Sequence, residues 1–245
     1  MGKVFYGGGK LGMKAPITGI LASELAVGST VKLNVNGVAK DFIVVHQGLP
    51  SSMYDESCNG TWLLMKDVYE KRTWHSEAID KYDESDVHSY LNGDFFALFD
   101  SNAQAAIKQA KIPYFKSSGY GAGSVQSGEN GLSAKIFLPA GGEVGGATTG
   151  NYVADGSAWS YFSAPISTNG TTQRKAYMNG SVTQWWLRSP YLNWRASTSP
   201  VQYVTSGGEI QYRNANITTD GIRPALILPS NALFDETTLL FKGVA

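Results

Sequence analysis

The clearest alternation of hydrophobic and polar positions lies in the first fifth of the chain. Val31, Leu33 and Val35 alternate with polar residues, Asn36-Gly37 follows, and residues 42–45 form a second apolar run. Asn-Gly between two such runs is the strongest short-range signal for a two-residue turn. The pattern therefore predicts a β-hairpin.

Farther along, apolar residues recur every three or four positions and indicate helices. The first predicted helix is capped by Ser85 and carries its apolar face between residues 87 and 99. A second helix is predicted over residues 103–111, with Ser101 or Asn102 as its cap and a proline beyond its end. We expect these two helices to pack as a layer on the sheets that the surrounding strands form.

Three short apolar runs predict buried strands, at residues 61–65, 185–187 and 225–228. The last two runs end near prolines, which stop a strand. Between them, residues 191–216 are rich in Tyr, Asn, Ser, Thr, Gln, Trp and Arg. So many polar side chains cannot be buried without partners, and we expect most of this segment to reach solvent.

The composition of residues 191–216 is the one that antibody paratopes use, in which rigid rings combine with small hydrogen-bonding groups. Exposed aromatic residues beside arginine are typical of binding hot spots. We interpret the segment as a recognition surface displayed by a rigid frame. An ordinary polar loop over a sheet explains the polarity, but not Tyr191, Trp194, Tyr203 and Tyr212.

Composition excludes several classes of partner. The 245 residues are 42% hydrophobic and only 16% charged, with 20 basic and 20 acidic side chains. A nucleic-acid or anionic-membrane binder normally carries a basic excess, which is lacking. No apolar run is long enough to span a bilayer, and the amino terminus lacks the apolar region of a secretory signal. We therefore expect synthesis in a cytoplasm without a signal peptide, and no membrane insertion.

Two arginines interrupt the apolar runs at the ends of this region. Arg188 follows the Trp185-Trp186 pair, and Arg223 precedes the last predicted buried strand. A buried guanidinium is tolerated only with partners, so each should bond to carboxylates or loop carbonyls. We assign Trp185, Trp186, Arg188 and Arg223 to the structural frame.

The sequence gives little support for a catalytic site or a metal site. Cys58 is the single cysteine, which excludes an intramolecular disulfide, and no base can be assigned to it from spacing. His46, His75 and His88 have no metal-ligand spacing, so structural roles are expected. The acidic residues between Asp80 and Asp86 precede a predicted helix, where capping accounts for them; a calcium site is the alternative. We expect no cofactor and no resident metal.

Several motifs together resemble an uncharacterised domain family of gut bacteria and their phages. They are VVHQGLP at residues 44–50, YDESDV at 82–87, YLN at 90–92, KIPY at 111–114, WWLRSP at 185–190 and GIRPAL at 221–226. That family is similar to C-type-lectin-like folds, including the formylglycine-generating-enzyme type and the variable proteins of diversity-generating retroelements. The resemblance implies an α+β, C-type-lectin-like domain with two helices packed on small twisted antiparallel sheets and long ordered loops.

In the retroelement variable proteins, the stretch between two such motifs is the diversified, hypervariable ligand-binding surface. Carried over, the resemblance implies a contact set in residues 191–216: Tyr191, Asn193, Trp194, Arg195, Ser197, Thr198, Ser199, Gln202, Tyr203, Thr205, Gln211, Tyr212, Arg213, Asn214 and Asn216. The formylglycine-generating enzymes use a pair of active-site cysteines. This chain has one, which disfavours that activity.

The sequence thus predicts an amino-terminal arm over residues 1–25, a binding domain over 26–231 and a tail over 232–245. The expected function is non-enzymatic ligand binding, by a phage-tail or host-surface receptor-binding protein. The expected partner is a bacterial cell-surface protein or glycan, and a homotrimer is conceivable. The alternative is a structural component of a phage or mobile-element particle, in which the same surface joins subunits.

Overall fold

The computed structural model describes residues 18–119, 122–162, 169–192 and 200–245. Strands dominate this part of the chain. In chain order they are β1 (Ile20–Leu21), β2 (Thr30–Val35), β3 (Val38–Gln47), β4 (Thr61–Met65), β5 (Glu70–Lys71), β6 (Ala110–Ile112), β7 (Tyr114–Gly119), β8 (Ala122–Gln126), β9 (Leu132–Ala134), β10 (Ile136–Phe137), β11 (Ala176–Met178), β12 (Ser181–Thr183), β13 (Trp185–Pro190), β14 (Pro200–Val204), β15 (Ile210–Asn214), β16 (Gly221–Ile222), β17 (Ala225–Leu228), β18 (Ala232–Phe234) and β19 (Phe241–Val244).

Helices are short. The α-helices are α1 (Asp86–Asn92), α2 (Asp94–Ala97), α3 (Ser101–Ala106) and α4 (Asn169–Arg174). Single 3-10 turns occur at Ala22–Glu24, Glu56–Cys58, Tyr82–Glu84, Gly128–Asn130 and Ser160–Phe162. Among the described helices, none is both long and apolar enough to cross a bilayer.

Two five-stranded sheets form the centre of the fold. Sheet I has the order β10-β17-β4-β3-β2, and sheet II has the order β15-β14-β13-β16-β5. Neighbouring strands are antiparallel, except that β13 and β16 run parallel. Strand β15 is an edge strand of sheet II, so one side of its backbone has no neighbour in that sheet.

The predicted hairpin is confirmed. Strands β2 and β3 pair from Thr30↔Ile43 to Val35↔Val38, and Asn36 and Gly37 adopt φ angles of 51° and 70°. A two-residue turn with positive φ at both positions matches the twist of the strands, and Asn and Gly reach it at least cost.

Strand β4 lies at the middle of sheet I and confirms the predicted buried run. All five of its residues are buried. The Trp62 ring lies 5.4 Å from the Tyr54 ring, 5.8 Å from Phe137 and 5.6 Å from Trp159, measured between centroids. Because β4 is covered on both faces, its residues 62–65 are continuously apolar and do not alternate with polar ones.

The predicted α+β class, with a C-type-lectin-like layer of two helices packed on the sheets, is wrong. Strand accounts for 40% of the described structure and helix for 17%, and the strands are spread over several small sheets. The helices are too short to cover a sheet as a layer. Backbone pairing in sheets depends on contacts distant in sequence. Residues that local patterns assign to helix can therefore form strands instead.

The first predicted helix begins where expected, is interrupted at Gly93 and continues as α2 to Ala97. The Ser85 hydroxyl accepts a hydrogen bond from the backbone N–H of His88, which confirms the cap. Helix α1 stops at Asn92, because Gly93 adopts φ −111° and ψ −99°. The Asn92 amide then bonds to the backbone at Lys135 and Ile136, next to β10. This contact fixes the end of α1 against β10.

The second predicted helix is shorter than expected. Its cap is Asp100, whose carboxylate accepts from the backbone N–H of Ala103, rather than Ser101 or Asn102. Helix α3 ends at Ala106, and the backbone N–H of Lys108 donates to the carbonyl of Ile227 in β17. Residues 110–112 then form β6 against β9.

The segments outside the predicted binding domain pair with each other. Strand β1 is antiparallel to β18, and β18 is antiparallel to β19. The Phe234 and Phe241 rings, both buried, lie 5.8 Å apart. The chain's last fourteen residues thus pack on the core in the described structure.

Candidate functional site

Sheet II contains the strands that flank the predicted recognition segment. Strand β13 is buried at every position, and β17 in sheet I is buried as well, which confirms the two buried runs. Strands β14 and β15 form a hairpin from Pro200↔Asn214 to Val204↔Ile210. Much of the recognition segment is therefore a sheet edge and not a loop.

Three tyrosines meet at the surface of this hairpin. The rings of Tyr191 and Tyr212 stack with centroids 3.7 Å apart and planes inclined by 6°. The Tyr152 ring meets Tyr191 edge to face, at 5.2 Å and 78°. We call Tyr152, Tyr191 and Tyr212 the tyrosine cluster.

Backbone contacts fix the tyrosine cluster. The N–H of Tyr191 donates to the carbonyl of Pro200 at 2.9 Å, and Tyr152 and Tyr191 form a β-bridge. The Asn151 amide donates to the Tyr191 hydroxyl at 3.1 Å. Tyr212 is 42% exposed, whereas Tyr152 and Tyr191 are half-buried. The cluster is therefore a supported aromatic surface with one ring open to solvent.

The predicted contact residues divide between the two faces of the hairpin. Successive residues of a strand point to opposite faces, and paired residues share a face. Gln202 pairs with Tyr212, and Tyr203 pairs with Gln211. Tyr212 and Asn214 thus lie on the face of the tyrosine cluster, and Gln211 and Arg213 lie on the other.

Two of the predicted contact residues are buried, contrary to the expectation that they reach solvent. Gln202 is fully buried and its amide donates to the Pro190 carbonyl at 2.9 Å. Tyr203 packs against Trp186 and is covered by Arg213, whose guanidinium carbon lies 3.7 Å from the ring centroid. Polar and aromatic character alone does not separate such residues from exposed neighbours.

The other predicted contact residues have varied positions. Arg213 also forms an ion pair with the buried carboxylate of Asp220 at 3.0 Å. Burial raises the pKa of Asp220 to about 6. Thr205 lies in the turn before β15 and accepts a hydrogen bond from the N–H of Glu209, and Asn216 is exposed beyond β15. Asn193, Trp194, Arg195, Ser197, Thr198 and Ser199 lie outside the described residues.

A buried polar network surrounds Arg188, which lies on β13 three residues before Tyr191. Arg188 donates to both oxygens of Glu143 and to the carbonyls of Pro113, Leu138 and Asp155. The expectation that Arg188 bonds to a carboxylate and loop carbonyls is confirmed. Sequence reasoning missed Glu143, since no spacing distinguishes an acid within a glycine-rich loop.

Asp155 extends this network. Its carboxylate accepts from the Ser189 hydroxyl at 2.7 Å, and that hydroxyl accepts from the backbone N–H of Gly141 at 2.9 Å. The second carboxylate oxygen of Asp155 is buried and has no hydrogen-bond partner among the described residues. Burial raises the pKa of Asp155 to about 6, although the Arg188 charge and the Ser189 hydrogen bond oppose the shift.

Arg223, the other frame arginine, bonds to a carbonyl as expected. Its Nε donates to the carbonyl of Met65 at 2.8 Å. Its guanidinium carbon lies 5.0 Å from the Trp185 ring centroid. Burial lowers the pKa of Arg223 to about 10. This residue ties the two sheets together, because Met65 ends β4 of sheet I and Trp185 begins β13 of sheet II.

The single cysteine and the three histidines, which were the sequence's candidates for catalysis, each contact other residues of the fold. The Cys58 thiol is buried and donates to the Lys111 carbonyl, and burial raises its pKa to about 12. His46 contacts Ser160, and His75 accepts from the backbone N–H of Asp86. His88 lies against the ring of Tyr82.

The acidic residues before α1 have separate partners. Asp80 accepts from Ser117, Asp83 from the Tyr114 hydroxyl, and Asp86 from the N–H of Ser76. Across the described ranges, no group of three or more His, Cys, Asp or Glu side chains is placed to share a metal ion. A calcium site at these residues is not assembled by this geometry.

The family model described as "Domain of unknown function (DUF6273)" matches residues 59–230. The chain belongs to this family. The match includes β13, the β14–β15 hairpin and β17, and with them the tyrosine cluster and Arg188. No curated protein and no solved structure matches the chain. The similarity to lectin-like variable proteins therefore stays a prediction.

Proposed function

We propose that this DUF6273 protein is a non-enzymatic binding protein whose ligand contacts the tyrosine cluster. The observation that carries the proposal is the exposed ring of Tyr212, stacked on Tyr191 on an edge strand of sheet II. Aromatic side chains supply large contact areas for little loss of conformational entropy, and rings already fixed by packing lose less.

A glycan fits this surface better than a protein does. A stable protein interface buries about 800 Å² per partner around an apolar centre. In the described structure, the other exposed large hydrophobic residues are Val27, Val38 and Val244, which stand on separate segments, and Tyr177 and Val182, which pair across β11 and β12. One open ring suits the C–H face of a sugar, and nearby amides of Asn151 and Asn214 suit its hydroxyl groups.

The biological setting follows from the sequence resemblance. The motifs at residues 185–190 and 221–226 support a receptor-binding protein of a phage tail or a cell surface, with the segment between them diversified by a retroelement. In that setting the ligand is a glycan on a bacterial surface.

A second candidate function is a subunit contact in a particle. Strand β15 ends sheet II, and an unpaired strand edge can pair with another chain. Sedimentation equilibrium measures the oligomeric state and so helps to separate the two functions. A stable oligomer in which Tyr212 is protected from solvent supports assembly.

The experiment that tests ligand binding is a glycan array probed with the full chain and with Tyr212→Ala. Selective binding by the full chain that Tyr212→Ala loses supports the proposal.

A further inference from the structure

A pocket of about 270 Å³ lies beside the tyrosine cluster. Tyr152 belongs to both the cluster and the pocket wall, so a ligand on the cluster reaches the pocket directly. The pocket is also lined by Gly145, Gly146, Arg174, Glu209 and Ile210.

Arg174 is held rigidly in the wall of this pocket. The residue is buried, its Nε donates to the Gly208 carbonyl at 2.6 Å and its Nη1 donates to the Val144 carbonyl at 3.1 Å. Its own carbonyl accepts from Trp185 Nε1 at 2.9 Å. Nη2 has no hydrogen-bond partner within the described ranges. One donor edge of the guanidinium is thus unused.

The charge of Arg174 has no counter-ion in the part of the chain that the structure describes. Among the described residues, no carboxylate lies within ion-pair distance of Arg174, whereas Arg72, Arg188 and Arg213 each have one. The undescribed stretches, residues 1–17, 120–121, 163–168 and 193–199, contain neither Asp nor Glu. A buried cation is costly unless an anion or hydrogen bonds compensate it, so this site favours an external anion.

Arg223 shows the alternative arrangement. It is also buried without a carboxylate, but its guanidinium lies over the Trp185 ring, which supplies cation–π attraction. Arg174 lines an open pocket instead. Arg223 thus packs against an aromatic ring, whereas Arg174 faces a cavity.

The glycine loop leaves Arg174 accessible. Gly145 has φ 75°, which disfavours any side chain, and a Cβ on Gly146 would lie 2.5 Å from Ile210 Cδ1. The wall of the pocket therefore carries no side chain at these two positions. Glu209, which is exposed, is the one acidic residue of the lining.

We propose that this pocket binds a carboxylate of the ligand, so that the protein selects glycans with an acidic sugar such as a uronic or sialic acid. The inference rests on the proposed glycan-binding function. The sugar ring packs on the tyrosine cluster, and its carboxylate accepts hydrogen bonds from Arg174. A charge-assisted bond of this kind predicts a preference of about tenfold or more over the matched neutral glycan.

The test is a glycan array that carries acidic and neutral forms of the same backbones, with uronic and sialic acids on separate spots. The full chain should retain acidic forms about tenfold better, and added salt should weaken the preference. Glu209→Gln should strengthen the preference for acidic glycans, because the substitution removes a negative charge from the pocket lining. Glu236→Gln, an exposed change outside the lining, should leave it unaltered.

Arg174→Gln should abolish the preference while binding of neutral glycans persists, with circular dichroism as the check on folding. If that variant does not fold, Glu209→Gln decides: an unchanged preference overturns the inference. Neutral glycans bound as well as acidic ones would overturn the inference and leave the proposed function standing. Failure of the full chain to bind any glycan would overturn both.

Discussion

Arg188 and Glu143 are joined by two parallel hydrogen bonds in the interior, Nη1 to Oε2 at 2.6 Å and Nη2 to Oε1 at 2.7 Å. Glu143 also accepts from the Tyr54 hydroxyl and from the backbone N–H of Ala140, both at 2.8 Å. The pair links β13 to the glycine-rich loop that leads to Tyr152. It therefore supports both sides of the tyrosine cluster.

Replacing Arg188 with lysine should destabilise the fold by about 3–5 kcal/mol, because the ammonium cannot reproduce the planar donor fork and leaves Glu143 poorly compensated. The measurement is urea unfolding. Arg72→Lys is the matched control, since its ion pair with Glu70 is solvent-accessible and should be worth about 1 kcal/mol or less. Equal, small effects of the two changes would contradict the role given to Arg188.

The raised pKa of Asp155 predicts a pH dependence of stability. Between the unfolded value of 3.8 and the folded value of about 6, the folded state binds more protons than the unfolded state. The free energy of unfolding should therefore fall as pH rises through this window, by about 3 kcal/mol for a shift of about two units.

Asp155→Asn should remove this contribution. The asparagine carbonyl can still accept from Ser189, and no charge is buried at high pH. Compared with the parent at pH 7.5, the variant should be more stable or equally stable, and its slope between pH 4 and pH 6 should be flatter. Guanidinium titrations at several pH values measure both quantities. A variant with the parent's slope would show that Asp155 titrates normally.

The burial of Cys58 predicts that its thiol is alkylated slowly in the native protein. With its pKa raised to about 12, almost no thiolate is present at pH 7.5. Iodoacetamide should label the native protein far more slowly than the urea-unfolded protein, as mass spectrometry would show. Rapid labelling of the native protein would revive a nucleophilic role for this residue.

Local signals predicted those parts of the fold that depend on near neighbours in sequence. The Asn36-Gly37 turn and the Ser85 cap need only the chemistry of adjacent residues, and both are present. The buried runs at β4, β13 and β17 are also visible as apolar sequence. The second helix is shorter than predicted, because the pairing of β6 with β9 depends on contacts distant in sequence.

The candidate site was predictable in part. Tyr191 and Tyr212 come from an aromatic-rich segment, but their partner Tyr152 lies in a Gly- and Thr-rich stretch with no distinctive spacing. The burial of Gln202 and Tyr203 follows from the register of β14, which the sequence alone does not fix. Arg174 is likewise an ordinary residue in the sequence, and only the pocket shows that its charge is uncompensated.

The most direct test of the account compares two exposed tyrosines on one glycan array. Tyr212 is 42% exposed in the cluster, and Tyr177 is 45% exposed on β11, so their replacement by alanine should cost similar, small amounts of stability. We predict that Tyr212→Ala loses about 30-fold or more in glycan affinity, whereas Tyr177→Ala binds like the parent. Equal binding by the two variants would contradict the account.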